Sequence, residues 1–141
     1  MPLPANLTFT VNNFKSLALG QGIMVTGAGA GADANVALTP STGTDVTVAS
    51  DGSVTVAGKQ AQVLNLSATG YTPVGLVFKQ TAGSSDPTGR NAFGQYNRFG
   101  NGNTLIVTDN DNTTSTYEFY LLIQNPASGD FGLIDPRIVN S

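Results

Sequence analysis

Histidine and cysteine are both absent from this sequence of 141 residues, so chemistry that depends on an imidazole or a thiolate is not available to it. Their absence removes the commonest general base and metal ligand and the usual partner of a serine nucleophile. It also removes the thiolate and imidazole ligands that hold zinc and copper. The remaining polar chemistry is densest over residues 90–103, where aromatics and amides crowd together with two of the three arginines. Aromatic faces stack on the apolar faces of sugars, and amides exchange hydrogen bonds with hydroxyls. Asn91, Phe93, Gln95, Tyr96, Asn97 and Arg98 are therefore the candidate surface for a carbohydrate or small neutral ligand. The competing reading puts Phe93, Phe99 and Tyr96 in the core and leaves the amides to cap turns.

Two carboxylate sets compete with that stretch. Asp109 and Asp111, beside Asn110 and Asn112, offer oxygen ligands to calcium, but the loop lacks the glycine and distal glutamate of an EF-hand. A solvated turn is the alternative. Glu118 is the only glutamate, and pairing with Asp130 or Asp135 would be needed for glycoside hydrolysis. No partner that would raise its pKa is visible in sequence. Lys15, Lys59 and Lys79 are isolated and read as surface charges.

The elements that must position these residues are strands. Leu7, Phe9 and Val11 alternate with threonine and asparagine, as do the valines at 46, 48, 54 and 56 about an Asp51-Gly52 pair, a strong hairpin signal. Residues 63–67 and 74–78 give further strands. Leu105 to Val107 and the alternation Tyr117, Phe119, Leu121, Ile123 read as a hairpin joined through residues 108–114. Tyr120 and Leu122 make the second of these apolar on both faces, which reads as a strand in the middle of a sheet. Asp135-Pro136 then interrupts a final short return, because proline has no N–H to donate. The glycine-rich stretch 26–33 lacks the Lys-Ser/Thr and following helix of a phosphate-binding loop, and reads as a turn. About eight or nine strands with closely spaced turns and no amphipathic helix predict one all-β domain over residues 1–141, a single antiparallel β-sandwich.

Composition agrees with that class. Six basic and nine acidic side chains give a net charge of −3, with no basic stripe to neutralise phosphates, which argues against nucleic acid. The 17 glycines and 17 threonines suit a neutral, polar β surface. No apolar run approaches the roughly 18 residues of a membrane span. Met1-Pro2-Leu3-Pro4 lacks the basic start and apolar stretch of a secretory signal, so the expected location is cytoplasmic, with secretion left open.

Over its C-terminal half the chain resembles the small bacterial DP-EP family. The residues that carry the resemblance are the Gly70-Tyr71 turn, the stretch from Leu105 to Thr114, the Tyr117 strand, and the ending Gly132-Leu133-Ile134-Asp135-Pro136-Arg137-Ile138-Val139-Asn140. The resemblance implies a single immunoglobulin-like domain, similar in plan to the inclusion-body proteins, and it supplies no catalytic residues. Asn140-Ser141 departs from the acidic ending expected there. The functions to be distinguished are a non-enzymatic binding module for a carbohydrate or small neutral ligand, a structural or self-assembling subunit, and an enzyme. No cofactor is expected, with calcium as the one exception considered.

Overall fold

The computed structural model describes residues 4–28, 35–40, 46–50, 52–57, 61–82, 86–93, 98–99, 104–110, 116–135 and 137–140. The chain is all-β, apart from a 3-10 turn at Leu17–Leu19 and a single helical turn, α1, at Arg90–Phe93. The strands are β1 (Ala5–Val11), β2 (Thr26–Ala28), β3 (Val36–Pro40), β4 (Val46–Val48), β5 (Val54–Val56) and β6 (Gln62–Ala68). They continue with β7 (Thr72–Ala82), β8 (Arg98–Phe99), β9 (Thr104–Asp109), β10 (Thr116–Gln124), β11 (Phe131–Ile134) and β12 (Arg137–Asn140).

Two sheets result. Sheet A runs β2-β3-β1-β6-β9-β8. In sheet B the long strand β10 has β7 on one side, while β11 and β12 lie end to end on the other, followed by β5 and β4. The alternation in sequence explains why each strand has a buried face. Leu7 and Phe9 on β1, Leu64 and Leu66 on β6, and Leu105 and Val107 on β9 point inward from sheet A. Leu76 and Phe78 on β7 and Tyr117, Phe119, Leu121 and Ile123 on β10 point inward from sheet B. All of them belong to one core cluster.

Several expectations hold and others are corrected. The valine hairpin forms as read, with Val46 opposite Val56 and Val48 opposite Val54. Gly52 takes φ +82° in its turn, and Thr26 occupies the space an added Cβ would need. The expected hairpin of residues 105–107 and 117–123 does not form, because β9 pairs with β6 and β8 whereas β10 belongs to the other sheet. Alternation identifies a strand with one buried face but carries no information about its neighbour. The uniformly antiparallel arrangement is also corrected: β1 with β6, β2 with β3, and β5 with β12 run parallel. The expected interruption is present, between the end of β11 at Ile134 and the start of β12 at Arg137. It separates β11 from β12, yet Leu121 opposite Ile134 and Glu118 opposite Arg137 keep one register through it. The break marks the place where this edge changes partners. Met24 bridges Ile134 on β11, whereas β5 pairs with β12.

Candidate functional site

The two sheets differ on their outward faces. On sheet A, Thr39, Thr8, Ser67 and Thr104 stand opposite one another across four strands. In the next row the Asn65 amide donates to the Asn6 carbonyl oxygen at 3.1 Å. This face is largely neutral and polar, with Ile106 opposite Asn65 in that same row.

Sheet B is different, and its outer face can be read row by row along β10. Glu118 stands between Lys79 and Arg137. One row on, Tyr120 faces Val77 on β7, and Asp135 takes the register position on its other side. The following row places Leu122 between Gly75 and Leu133, and the last places Gln124 beside Phe131. Because Met24 pairs with Ile134 and is fully buried, the alternation of an extended chain turns Ile23 and Val25 outward beside these rows. The face is thus charged in the Glu118 row and largely apolar beyond it, with Asp135, Gln124 and Asp130 set among the apolar residues.

Gly75 contributes no side chain to the Leu122 row, so a depression of about 240 Å³ opens between Val77, Tyr120, Leu122 and Leu133. A second, of about 510 Å³, is lined by Leu17, Ala18, Leu122, Gly129, Asp130 and Phe131. The two share Leu122 and form one apolar groove. Val77 is 54% exposed, Leu17 42% and Phe131 41%, so large apolar side chains lie open to water around it. Exposed apolar side chains grouped in this way are a feature of interaction surfaces.

Carboxylates bear on the groove. The Tyr120 hydroxyl donates to Glu118 Oε2 at 3.5 Å, a long contact. Its pKa is raised above the ordinary 10.0, first by the Asp135 carboxylate, then by desolvation, then by Glu118. The sign of the consequence follows from linkage. The unfolded chain ionises this phenol near pH 10.0 while the folded chain still holds the proton, so stability contributed by Tyr120 falls as pH rises above that value. We expect tyrosine-labelled NMR to show Tyr120 titrating at higher pH than a model phenol, and Asp135→Asn to lower its midpoint. An unchanged midpoint in the variant would remove Asp135 as the main cause.

Of the residues singled out from sequence, the structure describes Phe93 and Asp109 with their side chains and the backbone positions of Asn91 and Arg98. Phe93 is fully buried, stacked on Phe78 with centroids 3.8 Å apart, so it belongs to the core and not to a ligand surface. Asn91 lies in α1 and Arg98 on β8 opposite Ile106. Gln95, Tyr96 and Asn97 lie outside the described residues. Asp109 is the last residue of β9 and is fully buried opposite Gln62, not at a solvated tip. Asp111 lies outside the described residues. Among the described residues no group of three or more His, Cys, Asp or Glu side chains is placed to hold a metal ion. Among them, too, no helix is long and apolar enough to cross a membrane.

Sequence reasoning missed two features. One is the groove, although Tyr120 and Leu122 were visible as apolar residues on the second face of β10. The other is Asp86, which lies in a stretch with the composition of a plain loop yet is 5% exposed and sits beneath the arch of residues 86–93. Its Oδ2 accepts from the Tyr117 hydroxyl at 2.8 Å and from the Ala92 N–H at 3.0 Å.

No protein-family model matches this chain, and no curated protein matches it.

Proposed function

We propose that this protein is a non-enzymatic binding module, an immunoglobulin-like β-sandwich as the resemblance to the DP-EP family implies, whose ligand surface is the groove on the outer face of sheet B. The observation that carries this reading is the apolar strip from Phe131 and Leu17 through Leu122 to Val77. It lies on the solvent side of a sheet whose other face already fills the core. A sheet needs only one buried face, so this second apolar surface is not required for folding. The groove takes an uncharged, apolar group of its ligand. Exposed Phe131 and half-buried Tyr120 give it aromatic character, and Gln124 gives it an amide. This face is where the described residues offer a surface for a carbohydrate or small neutral ligand. The sequence lacks histidine and cysteine, and the carboxylates at the groove adjoin a phenol and apolar side chains instead of a nucleophile. Both facts support binding over catalysis.

The test uses a neutral fluorescent probe, N-phenyl-1-naphthylamine, whose emission rises in apolar surroundings. Saturable enhancement is expected with the native protein, lost in Leu122→Arg while the thermal midpoint stays within a few degrees. No enhancement with the native chain, or full enhancement in Leu122→Arg, would sink this reading.

A further inference from the structure

The described residues leave six large apolar side chains open to water, Leu17, Leu19, Ile23, Val25, Val77 and Phe131. All but Val77 gather at one edge of sheet B, because Met24 bridges Ile134 and the 3-10 turn packs against β11. Exposed leucines scattered singly are ordinary, whereas a cluster at one edge marks a contact surface. Leu19 is the most open of the six, 70% exposed. Its turn forms the lip of the larger depression through Leu17 and Ala18.

That turn holds its shape by its own hydrogen bonds. Leu19 N–H donates to the Ser16 carbonyl at 3.3 Å, Gly20 N–H to the Leu17 carbonyl at 3.1 Å and Gln21 N–H to the Ser16 carbonyl at 3.2 Å. Ser16 N–H donates in return to Gln21 Oε1 at 3.0 Å. Little ordering cost therefore attends the burial of Leu19 by another surface. The chain thus presents a fixed, protruding apolar side chain beside an apolar depression of about 510 Å³ that Leu19 itself does not line.

Charge indicates what enters the depression. Asp130 is the only charged residue lining it. Lys15, at the base of the turn, is the only charged side chain among residues 1–32. No ion pair joins these two among the described residues. A turn that carries a cation is complementary to a recess that carries an anion. Protrusion, recess, cation and anion all lie on one patch of one chain. An isologous contact about a two-fold axis requires this, because every element must find its complement on the other copy. A bilayer fits less well, since Asp130 would enter it with the leucines.

We propose that this edge of sheet B is a self-association surface at which two copies of the chain exchange their 16–22 turns about a two-fold axis. Leu19 of each copy enters the depression between Leu17 and Phe131 of the other, and each Lys15 meets the Asp130 of the other copy. The smaller depression beside Val77, Tyr120 and Leu133 stays open to a ligand. The exchange thus goes beyond the binding reading and does not depend on it.

Sedimentation velocity of the full-length chain tests the exchange. A contact smaller than the standard interface of roughly 1,600 Å² is expected to dissociate on the order of 100 µM, so the native chain should pass from monomer to dimer between about 1 µM and about 1 mM. Leu19→Asp should stay monomeric throughout, with an unchanged circular dichroism spectrum. Lys15→Glu and Asp130→Lys should each weaken the dimer about tenfold at low salt, since each brings like charges together at both contacts. An equal mixture of these two variants should regain the native affinity as a heterodimer, because both contacts again join opposite charges. A pair formed within one chain could not be restored by mixing. A native chain that is monomeric at the highest concentration, a Leu19→Asp dimer, or species larger than a dimer would overturn the exchange. A mixture no tighter than its components would overturn the pairing of Lys15 with Asp130. The naphthylamine probe separates this reading from the ligand site. Its enhancement should survive Leu19→Asp, and loss of enhancement together with the dimer would overturn the independence of the two surfaces.

Discussion

Phe93→Ala is expected to destabilise the fold by about 3 to 4 kcal/mol, the range for removing a buried aromatic ring that its surroundings cannot fully refill. At this chain length that corresponds to a fall of roughly 10 °C in the thermal midpoint. The cost is large because the ring has close partners on several sides. It lies flat on Phe78, with an interplanar angle of 7° and centroids 3.8 Å apart, and meets Tyr117 edge-on at 5.0 Å and 81°. The arch that carries the ring has little room to follow it inward. Gly89 has φ +73°, and a Cβ added there would come within 2.7 Å of the Phe78 Cβ. Phe93 N–H donates to the Gly89 carbonyl at 2.8 Å, and Asn110 N–H to the Ala92 carbonyl at 2.7 Å, so the arch is tied both to itself and to the end of β9. Urea denaturation followed by circular dichroism measures the effect, with Phe93→Leu expected to retain most of the stability. A ring serving a ligand at the surface would change stability by only about 0.5 kcal/mol on truncation. Such a result for Phe93→Ala would overturn the core assignment.

Phe93 also shows where the sequence was legible and where it was not. Its own burial follows from its type, but its partners could not be inferred. Phe78 and Tyr117 lie on strands that become neighbours only through the β7–β10 ladder. Strand identity was widely readable because period-two alternation reports one buried face, as at Val46–Val48 with Val54–Val56 and along β10. Pairing was not, because the same alternation serves parallel and antiparallel neighbours alike. The alternation of Leu105 and Val107 suits β9 in either sheet, and only the ladder to β6 decides between them.

The groove was hidden for a related reason. Tyr120 and Leu122 looked like the second buried face of a central strand, since a sequence cannot distinguish apolar residues covered by protein from those left open. What distinguishes them is Gly75 across the ladder and Leu17 from a distant turn. Asp86 was hidden because a single aspartate between serine and proline looks like turn chemistry. Its burial depends on a tyrosine hydroxyl 31 positions away.

That buried carboxyl gives the other large effect expected of a single side chain. Asp86→Ala removes the acceptor of both the Tyr117 hydroxyl and the Ala92 N–H. The hydroxyl belongs to a residue with no exposed surface. Each buried donor left without an acceptor costs about 1 to 3 kcal/mol, so a loss of about 3 kcal/mol is expected. Tyr117→Phe is milder, at about 1 to 2 kcal/mol, because Asp86 keeps the Ala92 N–H and the ring remains to pack. The double variant should be less destabilised than the two single losses combined by about 1 to 2 kcal/mol, since removing the carboxyl cannot strand a hydroxyl that is already gone. Hydrogen exchange separates the two ends of the network. Asp86→Ala should expose the Ala92 and Phe93 amides to exchange because the arch loses its tether, while Tyr117→Phe should leave them protected. Strict additivity of the two substitutions would mean that the hydroxyl and the carboxyl do not interact. Asp86 would then tether the arch through the Ala92 N–H independently of Tyr117, beside the backbone contacts to Gln80 and Asn110.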